Sequence, residues 1–121
     1  MKIYKISQNN PELDNLLNDL RGKFPGIDLY VSENDMRLFI HEIRLPEDMR
    51  NQGIGGSIIE SLQAYARDRN KPIVLSPEAE RGKKHALDDF YRSHGFNHNR
   101  GRNKDYSLSS FFGPTMVWRP K

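Results

Sequence analysis

The hydrophobic and polar positions along the chain repeat with two periods, close to four residues in some segments and two in others. Leucines recur at helical spacing after Asn10-Pro11, a pair that favours the start of a helix, and Gly22 marks the end of that helix. Apolar residues alternate with polar ones over 27–31 and become denser over 36–45, which predicts two strands joined by a turn.

The rest of the pattern adds two helices and several short strands. The predicted elements are a strand at 2–7, a helix from Ile54 to Ala66, a strand at 73–76, a helix over 86–94, and strands that begin at Phe96 and Thr115. The strand–helix–strand unit over 37–76 implies two parallel neighbours joined by a right-handed crossover. The preceding hairpin adds antiparallel pairing, so the pattern predicts an α/β class with a single mixed sheet.

Composition places these elements in one domain. The chain has 121 residues, of which 36% are hydrophobic and 29% charged, and we expect a single domain over 1–121. No apolar run approaches the roughly 20 residues of a membrane span, and the amino terminus lacks the apolar core of a secretory signal. The absence of cysteine excludes disulfides, thiolate metal sites and cysteine nucleophiles. We therefore expect a cytoplasmic protein that does not enter membranes.

Positive charge gathers in one part of the chain. The formal net charge is only +3, but between Arg81 and Lys104 seven basic residues face only Asp88 and Asp89. Such a segment can bind nucleic acid, an acidic protein or a phosphorylated cofactor. Nucleic acid is an unlikely partner among these, because the segment lacks interleaved aromatic residues and a recognisable nucleic-acid motif.

The strongest chemical signal is a glycine-rich turn over 50–56, between a buried strand and an amphipathic helix. Glycine leaves no Cβ to block a ligand, and the first N–H groups of a helix lack internal partners, so such a turn suits a pyrophosphate. Neither common nucleotide motif is present. Ile58 replaces the third glycine of the dinucleotide fingerprint, and the residue directly before Ser57 is not the lysine that the mononucleotide loop requires. A turn that only starts a helix is the alternative.

Two segments resemble motifs of the GCN5-related N-acetyltransferase (GNAT) superfamily, and they follow each other in the same order as in that superfamily. The first runs from Ile43 to Ile59 and contains the glycine-rich turn, which matches the superfamily signature R/Q-x-x-G-x-G/A after its fourth strand. The second runs from Phe90 to Phe96 and is similar to a later helix of the superfamily, in which a tyrosine precedes a Gly-Phe pair. The tail at 101–105, with Thr115-Met116, resembles small members carried by phages and plasmids.

The resemblance implies a fold and a co-substrate. The fold would be a mixed, mostly antiparallel sheet with a central, splayed parallel pair, flanked by helices, and the acetyl donor would be acetyl-CoA. Its pantetheine arm would pair with the strand before the turn, and its pyrophosphate would lie on the amides of the turn. The residues expected to bind acetyl-CoA are Ile43, Arg44, Leu45, Arg50, Asn51, Gln52, Gly53, Ile54, Gly55, Gly56 and Ser57. Of these, Arg50 would shape the loop or add charge, and we expect Gly55→Val to abolish binding while leaving the fold largely intact.

The resemblance also suggests which groups would move protons. Direct attack of an amine on a thioester needs a base for the amine and an acid for the departing thiolate. Tyr91 matches the superfamily tyrosine that donates to the thiolate, although a core tyrosine is the alternative. Glu42 lies where relatives often have a glutamate that acts as base, directly or through water. We expect its carboxylate to be buried, or else paired with Arg44 or Arg37. His41, on the opposite strand face by alternation, is a weaker candidate.

The acceptor would be a primary amine, either a protein lysine, a protein N-terminus or a small amine. The polar, basic C-terminal half mildly favours a macromolecular acceptor. Asn103, Asp105 and Tyr106 are candidate substrate contacts, unless that stretch is an ordinary solvated loop. No metal is implied, because the histidines lack metal-ligand spacing.

Two questions stay open at this level. A non-catalytic acyl-CoA-binding module, in which Tyr91 and Glu42 only stabilise the fold, is the rival to an enzyme. Members of the superfamily are often dimers, so a homodimer is a further expectation, although the sequence fixes no interface.

Overall fold

The computed structural model describes residues 10–77, 84–102, 104–108 and 115–121. Within these residues the elements are α1 (Pro11–Lys23), β1 (Asp28–Glu33), β2 (Leu38–Arg44), α2 (Ile54–Arg69), β3 (Ile73–Leu75), α3 (Lys84–Ser93), β4 (Asn97–His98) and β5 (Met116–Trp118). None of these described helices is both long and apolar enough to cross a membrane. The predicted strand at 2–7 lies outside the described residues.

The five strands form one mixed sheet in the order β1-β2-β3-β5-β4. Strands β2 and β3 run parallel and are connected by α2, while the other neighbouring pairs are antiparallel. This confirms the predicted class, an α/β fold whose single, mostly antiparallel sheet contains a central parallel pair and is flanked by helices.

The parallel pair is joined only over its first residues. The β2–β3 ladder runs from Leu38–Ile73 to Ile40–Leu75, whereas β2 itself continues to Arg44. In the described part of the chain, the end of β2 therefore has no strand partner on the β3 side. This agrees with the splayed pair that the resemblance implied.

The amino terminus of α1 is capped as its sequence predicts. Asn10 Oδ1 accepts a hydrogen bond from the Leu13 amide at 3.1 Å, and Pro11 occupies the first turn. Glu12 and Asp14 lie in the same turn, where their negative charge complements the positive end of the helix dipole.

The main hydrophobic core lies on the helix side of the sheet. There, buried side chains of α1 and α2 pack with those of the strands and with aromatic residues in and after α3. A smaller cluster contains Val74, Leu108 and Val117, with Phe39 packed against it. Because side chains alternate along a strand, Val74 points away from the core that its two neighbours in β3 join. We call the side of the sheet that carries this smaller cluster the outer face.

The carboxyl end of α2 is anchored to α1 and β1. The Tyr65 hydroxyl lies 2.9 Å from Asn10 Oδ1 and 2.7 Å from Glu33 Oε1. Lys71, just beyond α2, donates to the other carboxylate oxygen of Glu33 at 2.7 Å. Glu33 is only 4% exposed, so these partners satisfy a carboxylate whose burial would otherwise be destabilising.

The strand predicted from position 36 begins two residues later, at Leu38. The reason is the side chain of Asn34, whose Oδ1 accepts hydrogen bonds from the amides of Met36 at 2.8 Å and Arg37 at 2.9 Å. Asparagine commonly holds a turn in this way, and it keeps these two residues out of the ladder.

Candidate functional site

The glycine-rich turn leads from β2 into α2 through an unusual backbone path. A 3₁₀ turn at Glu47–Met49 comes first. The backbone then adopts the left-handed conformation at Asn51, with φ 64°, and at Gly53, with φ 78°. Glycine adopts this conformation without steric cost, so position 53 favours glycine for the shape of the backbone itself.

Two side chains tie the turn to the backbone before it. Arg50 Nε donates to the carbonyl of Leu45 at 3.1 Å, and Gln52 Nε2 donates to the carbonyl of Asp48 at 2.6 Å. The turn therefore has a defined shape that depends on its own side chains.

The amino terminus of α2 is open. The first hydrogen bond of the helix runs from the Ser57 amide to the Gly53 carbonyl at 3.0 Å, so the amides of Ile54, Gly55 and Gly56 precede the internal ladder. Among the described residues no side chain caps this end, and no acidic residue lies in the first turn. The positive end of the helix dipole is therefore available to an anion.

Helix α3 packs against this first turn. A Cβ on Gly55 would lie 3.3 Å from Phe90 Cζ, and a Cβ on Gly56 would lie 3.3 Å from ring atoms of His94. Glycine at these positions thus allows two helices to approach closely. The expectation that Gly55→Val leaves the fold largely intact stays a prediction, and the closeness of Phe90 adds that the variant should be less stable than the wild type.

The end of β2 supplies extended backbone directly before the turn. Ile43 pairs with Leu29 and Arg44 with Asp28 on the β1 side. Ile43 and Leu45 are partly buried against the core, and Arg44 is exposed. The three residues expected to pair with pantetheine therefore lead into the segment 46–53, which ends at the open helix terminus.

His41 is the extra residue of a β-bulge in β2. Tyr30 lies opposite Glu42 and Val31 lies opposite Ile40, so His41 has no counterpart on β1. Bulges re-aim side chains and interrupt the simple alternation of a strand. The alternation that placed His41 and Glu42 on opposite faces is therefore interrupted at this point.

The His41 ring is held by side chains on three sides. Its centroid lies 4.8 Å from that of Tyr30 and 4.8 Å from that of Phe39. Its Nε2 forms a hydrogen bond of 2.8 Å with Ser32 Oγ. Partial burial lowers the pKa of His41 below its usual value near 6.5, so the imidazole is neutral at pH 7.

Glu42 forms an ion pair with Arg44, which was one of the two alternatives to burial considered from the sequence. Its Oε2 lies 3.2 Å from Arg44 Nη2, and the two side chains are 41% and 60% exposed. The expected burial of this carboxylate is wrong, because this part of the strand leaves both partners in contact with solvent. Arg37, the other partner considered, donates instead to the Ser107 carbonyl at 3.0 Å.

Tyr91 lies in the main core, one residue after Phe90. It is 9% exposed, and its ring lies 5.2 Å from that of Phe90 and 5.7 Å from that of Phe96. Burial raises the pKa of the Tyr91 hydroxyl. The group therefore stays protonated at neutral pH and can serve only as a proton donor there.

The three candidate substrate contacts differ in their surroundings. Asn103 lies outside the described residues. The carboxylate of Asp105 accepts hydrogen bonds from the amide and hydroxyl of Ser107, at 3.0 and 2.6 Å, and from Arg119 at 3.2 Å. These partners lower the pKa of Asp105, and the hydrogen bond from the Ser107 hydroxyl has the largest effect. Asp105 thus holds its own loop together, whereas Tyr106 is 75% exposed.

Sequence reasoning missed two residues that pack on the turn, Phe90 in α3 and His94 just after it. Their rings contact each other edge to face, with ring centroids 4.9 Å apart, and His94 is half-buried. The adjacent glycines Gly55 and Gly56 could have indicated this packing, because glycine lets another segment approach the backbone closely. Among the described residues, no group of three or more acidic or histidine side chains could hold a metal ion.

No family model matches the sequence, and no curated protein sequence matches it significantly. Solved structures do match. The anti-CRISPR protein AcrVA5 has 24% identity and a TM-score of 0.57, over 77% of this chain and 90% of that one. An acetyltransferase of the GNAT family from Staphylococcus aureus Mu50 has 18% identity and a TM-score of 0.57, over 78% of this chain and 58% of that one. Naa20 from Chaetomium thermophilum, in complex with a bisubstrate analogue, has 20% identity and a TM-score of 0.51, over 93% of this chain and 75% of that one.

At these identities the similarity concerns the fold. It is consistent with the mixed sheet and flanking helices described above. The resemblance stated from the sequence is confirmed at this level: the chain has the fold of the GNAT acetyltransferases.

Proposed function

We propose that this chain, as a single domain over 1–121, is an N-acetyltransferase that moves an acetyl group from acetyl-CoA directly to a primary amine. Two of the structural neighbours support this activity, one described as an acetyltransferase of the GNAT family and the other bound to a bisubstrate analogue. A cytoplasmic location and a homodimer stay predictions from the sequence.

The observation that carries the proposal is the open amino terminus of α2. Its uncapped amides and unopposed dipole suit the pyrophosphate of acetyl-CoA. The proposed anion-binding residues are Arg50, Asn51, Gln52, Gly53, Ile54, Gly55, Gly56 and Ser57. The guanidinium of Arg50 would add positive charge while its Nε keeps the turn in shape.

The pantetheine arm would lie along the end of β2. Its amide groups can hydrogen-bond to extended backbone, and Ile43, Arg44 and Leu45 provide such backbone where the β2–β3 ladder has ended. The thioester would then lie near the gap between the two strands.

The proton transfers need an acid and a base. Tyr91 is the proposed acid for the departing thiolate, because its hydroxyl stays protonated at neutral pH. Glu42 is a candidate base, directly or through water, although its pairing with Arg44 lowers its freedom to approach an amine.

The acceptor is proposed to be a protein lysine or a protein N-terminus in preference to a small amine. Support comes from the segment after β4, where Arg100, Arg102 and Tyr106 are exposed. Such a surface suits an acidic macromolecule. Asn103 and Asp105 remain candidate contacts in the same loop.

A non-catalytic acyl-CoA-binding module is the second candidate. It is favoured by the burial of Tyr91 in the core and by the ion pair of Glu42, since both groups have a structural role without any reaction. A nucleic-acid-binding protein is a weaker alternative that rests on the basic segment alone.

Calorimetry and turnover separate these candidates. We expect acetyl-CoA and CoA to release heat on binding, and CoA thiol to appear when lysine peptides, peptides with a free N-terminus or small amines are added. Mass spectrometry of a lysate incubated with labelled acetyl-CoA would identify the acceptor. Binding without thiol release on any amine supports the module, and no binding of either coenzyme refutes the acyl-CoA site.

A further inference from the structure

The outer face of the sheet carries a titratable group that the proposed function has not used. His41 lies on the β2 bulge, immediately after Ile40, the last residue of β2 that pairs with β3. The imidazole therefore lies at the point where the parallel ladder ends. Tyr91, the proposed acid, belongs to the core on the other side of the sheet. The two groups would thus approach a thioester in the gap from opposite sides.

The hydrogen bond to Ser32 holds one nitrogen of the His41 ring and fits either tautomer, because a hydroxyl can donate or accept. Nε2 and Ser32 Oγ are 2.8 Å apart. When Nε2 carries the proton and donates to Ser32, the lone pair of Nδ1 is left to accept another proton. The neighbouring rings of Tyr30 and Phe39 restrict the rotation of the imidazole.

The charged groups around His41 are engaged with other partners. On β2, Glu42 pairs with Arg44 at 3.2 Å, and Arg37 donates to a backbone carbonyl at 3.0 Å. Tyr30, on β1, is the other titratable group in contact with the ring. Glu42 and Arg37 therefore have partners other than His41, and partial burial keeps the imidazole neutral at neutral pH by lowering its pKa.

We propose, on the basis of the proposed transferase function, that His41 is the base that takes the proton of the acceptor amine, and that Ser32 is its positioning residue. An N–H bond of the acceptor ammonium breaks and its proton goes to Nδ1. The freed lone pair forms the N–C bond to the thioester carbonyl, the C–S bond breaks, and the thiolate takes a proton from Tyr91. As the amide forms, the second amine proton passes through water to the Tyr91 phenolate, and the imidazolium releases its proton to solvent. The acceptor amine therefore binds on the outer face, beside Tyr30 and Phe39.

The test compares the acetyl transfer of four variants, His41→Gln, Ser32→Ala, Ser32→Thr and the matched control His98→Gln, which removes a histidine outside the proposed site. The acceptors are a lysine peptide, a peptide with a free N-terminus and a small diamine, followed by CoA thiol release. We expect kcat of His41→Gln to fall by about a hundredfold or more with its acetyl-CoA affinity unchanged.

The pH profile supplies a readout that a purely structural role would not move. The wild type should lose kcat/KM as the pH falls through the pKa of His41, because the imidazolium cannot accept a proton, and His41→Gln should lack this acidic limb. Ser32→Ala should lower kcat more than it changes KM, and Ser32→Thr should restore it. His98→Gln should keep both the rate and the limb.

The outcomes separate this inference from the proposed function. A folded His41→Gln variant with the wild-type rate and acidic limb overturns the role of His41, and a Ser32→Ala variant with the wild-type kcat overturns the positioning role of Ser32, while the transferase activity stands. A wild-type protein that binds acetyl-CoA but acetylates none of the amines overturns the base together with the transferase. Absence of acetyl-CoA binding overturns the proposed function at its first step.

Discussion

The amino termini of α1 and α2 are built in opposite ways. At α1 the side chain of Asn10 caps the helix, and Glu12 and Asp14 add negative charge to the first turn. At α2 the position before the helix is Gly53, and among the described residues neither a cap nor an acidic residue is present there. Both helices pack on the same core, so packing does not explain the difference. The chain neutralises one helix terminus itself and leaves the other open, which is the terminus where we propose that an external anion binds.

The largest expected effect comes from placing the same substitution in both helices. Gly55→Val should destabilise the protein by about 1–3 kcal/mol, because its side chain meets Phe90 in a packed contact. In α1, a Cβ on Gly22 meets no atom within 4 Å, so Gly22→Val should change the free energy of unfolding by less than about 0.5 kcal/mol. Urea unfolding measures both, and equal values would remove the close approach of α3 as the reason for Gly55.

A charge at Ser57 should separate stability from binding. Ser57→Glu would place a carboxylate in the first turn of α2, which stabilises a helix by about 0.3–1 kcal/mol but repels a pyrophosphate. We expect a higher melting temperature than for the neutral control Ser57→Gln, together with about tenfold weaker acetyl-CoA binding, or roughly 1.4 kcal/mol. Equal affinities of the two variants in calorimetry would show that the anion binds elsewhere.

The smallest effect concerns the capped helix. Asn10→Ala should cost about 1 kcal/mol of stability, because it removes the cap of α1. Acetyl-CoA affinity should stay within a factor of two or so, since Tyr65 loses its contact with Asn10 but keeps the one with Glu33, which still holds the far end of α2. Thermal unfolding and calorimetry on the same sample give both values. A large loss of affinity would mean that the two termini are energetically coupled.

Local signals in the sequence were sufficient for much of the fold. The Asn10-Pro11 pair placed the start of α1, and the dense apolar run before Pro46 placed β2 beside a parallel partner. The glycine-rich turn was also identified from the sequence. Its backbone passes through positive φ before the helix, and this property depends on only a few consecutive residues.

Contacts between distant segments could not be predicted in the same way. The proximity of Gly55 to Phe90 joins residues far apart in the chain, and it depends on how α3 packs. The bulge at His41 depends on the register of β1 against β2, which alternation alone does not reveal. The pairing of Glu42 with Arg44 was among the alternatives, but choosing it required the exposure of both side chains.

The hydrogen bonds of Tyr65 bear on how tightly a ligand can be held. They fasten the far end of α2 to the cap of α1 and to β1, so the helix has one fixed end before any anion arrives. A rigid helix fixed in this way keeps its donors aimed in one direction. The proposed binding would then require little further ordering of the protein, and less of the attraction between phosphate and amides would be lost to conformational entropy.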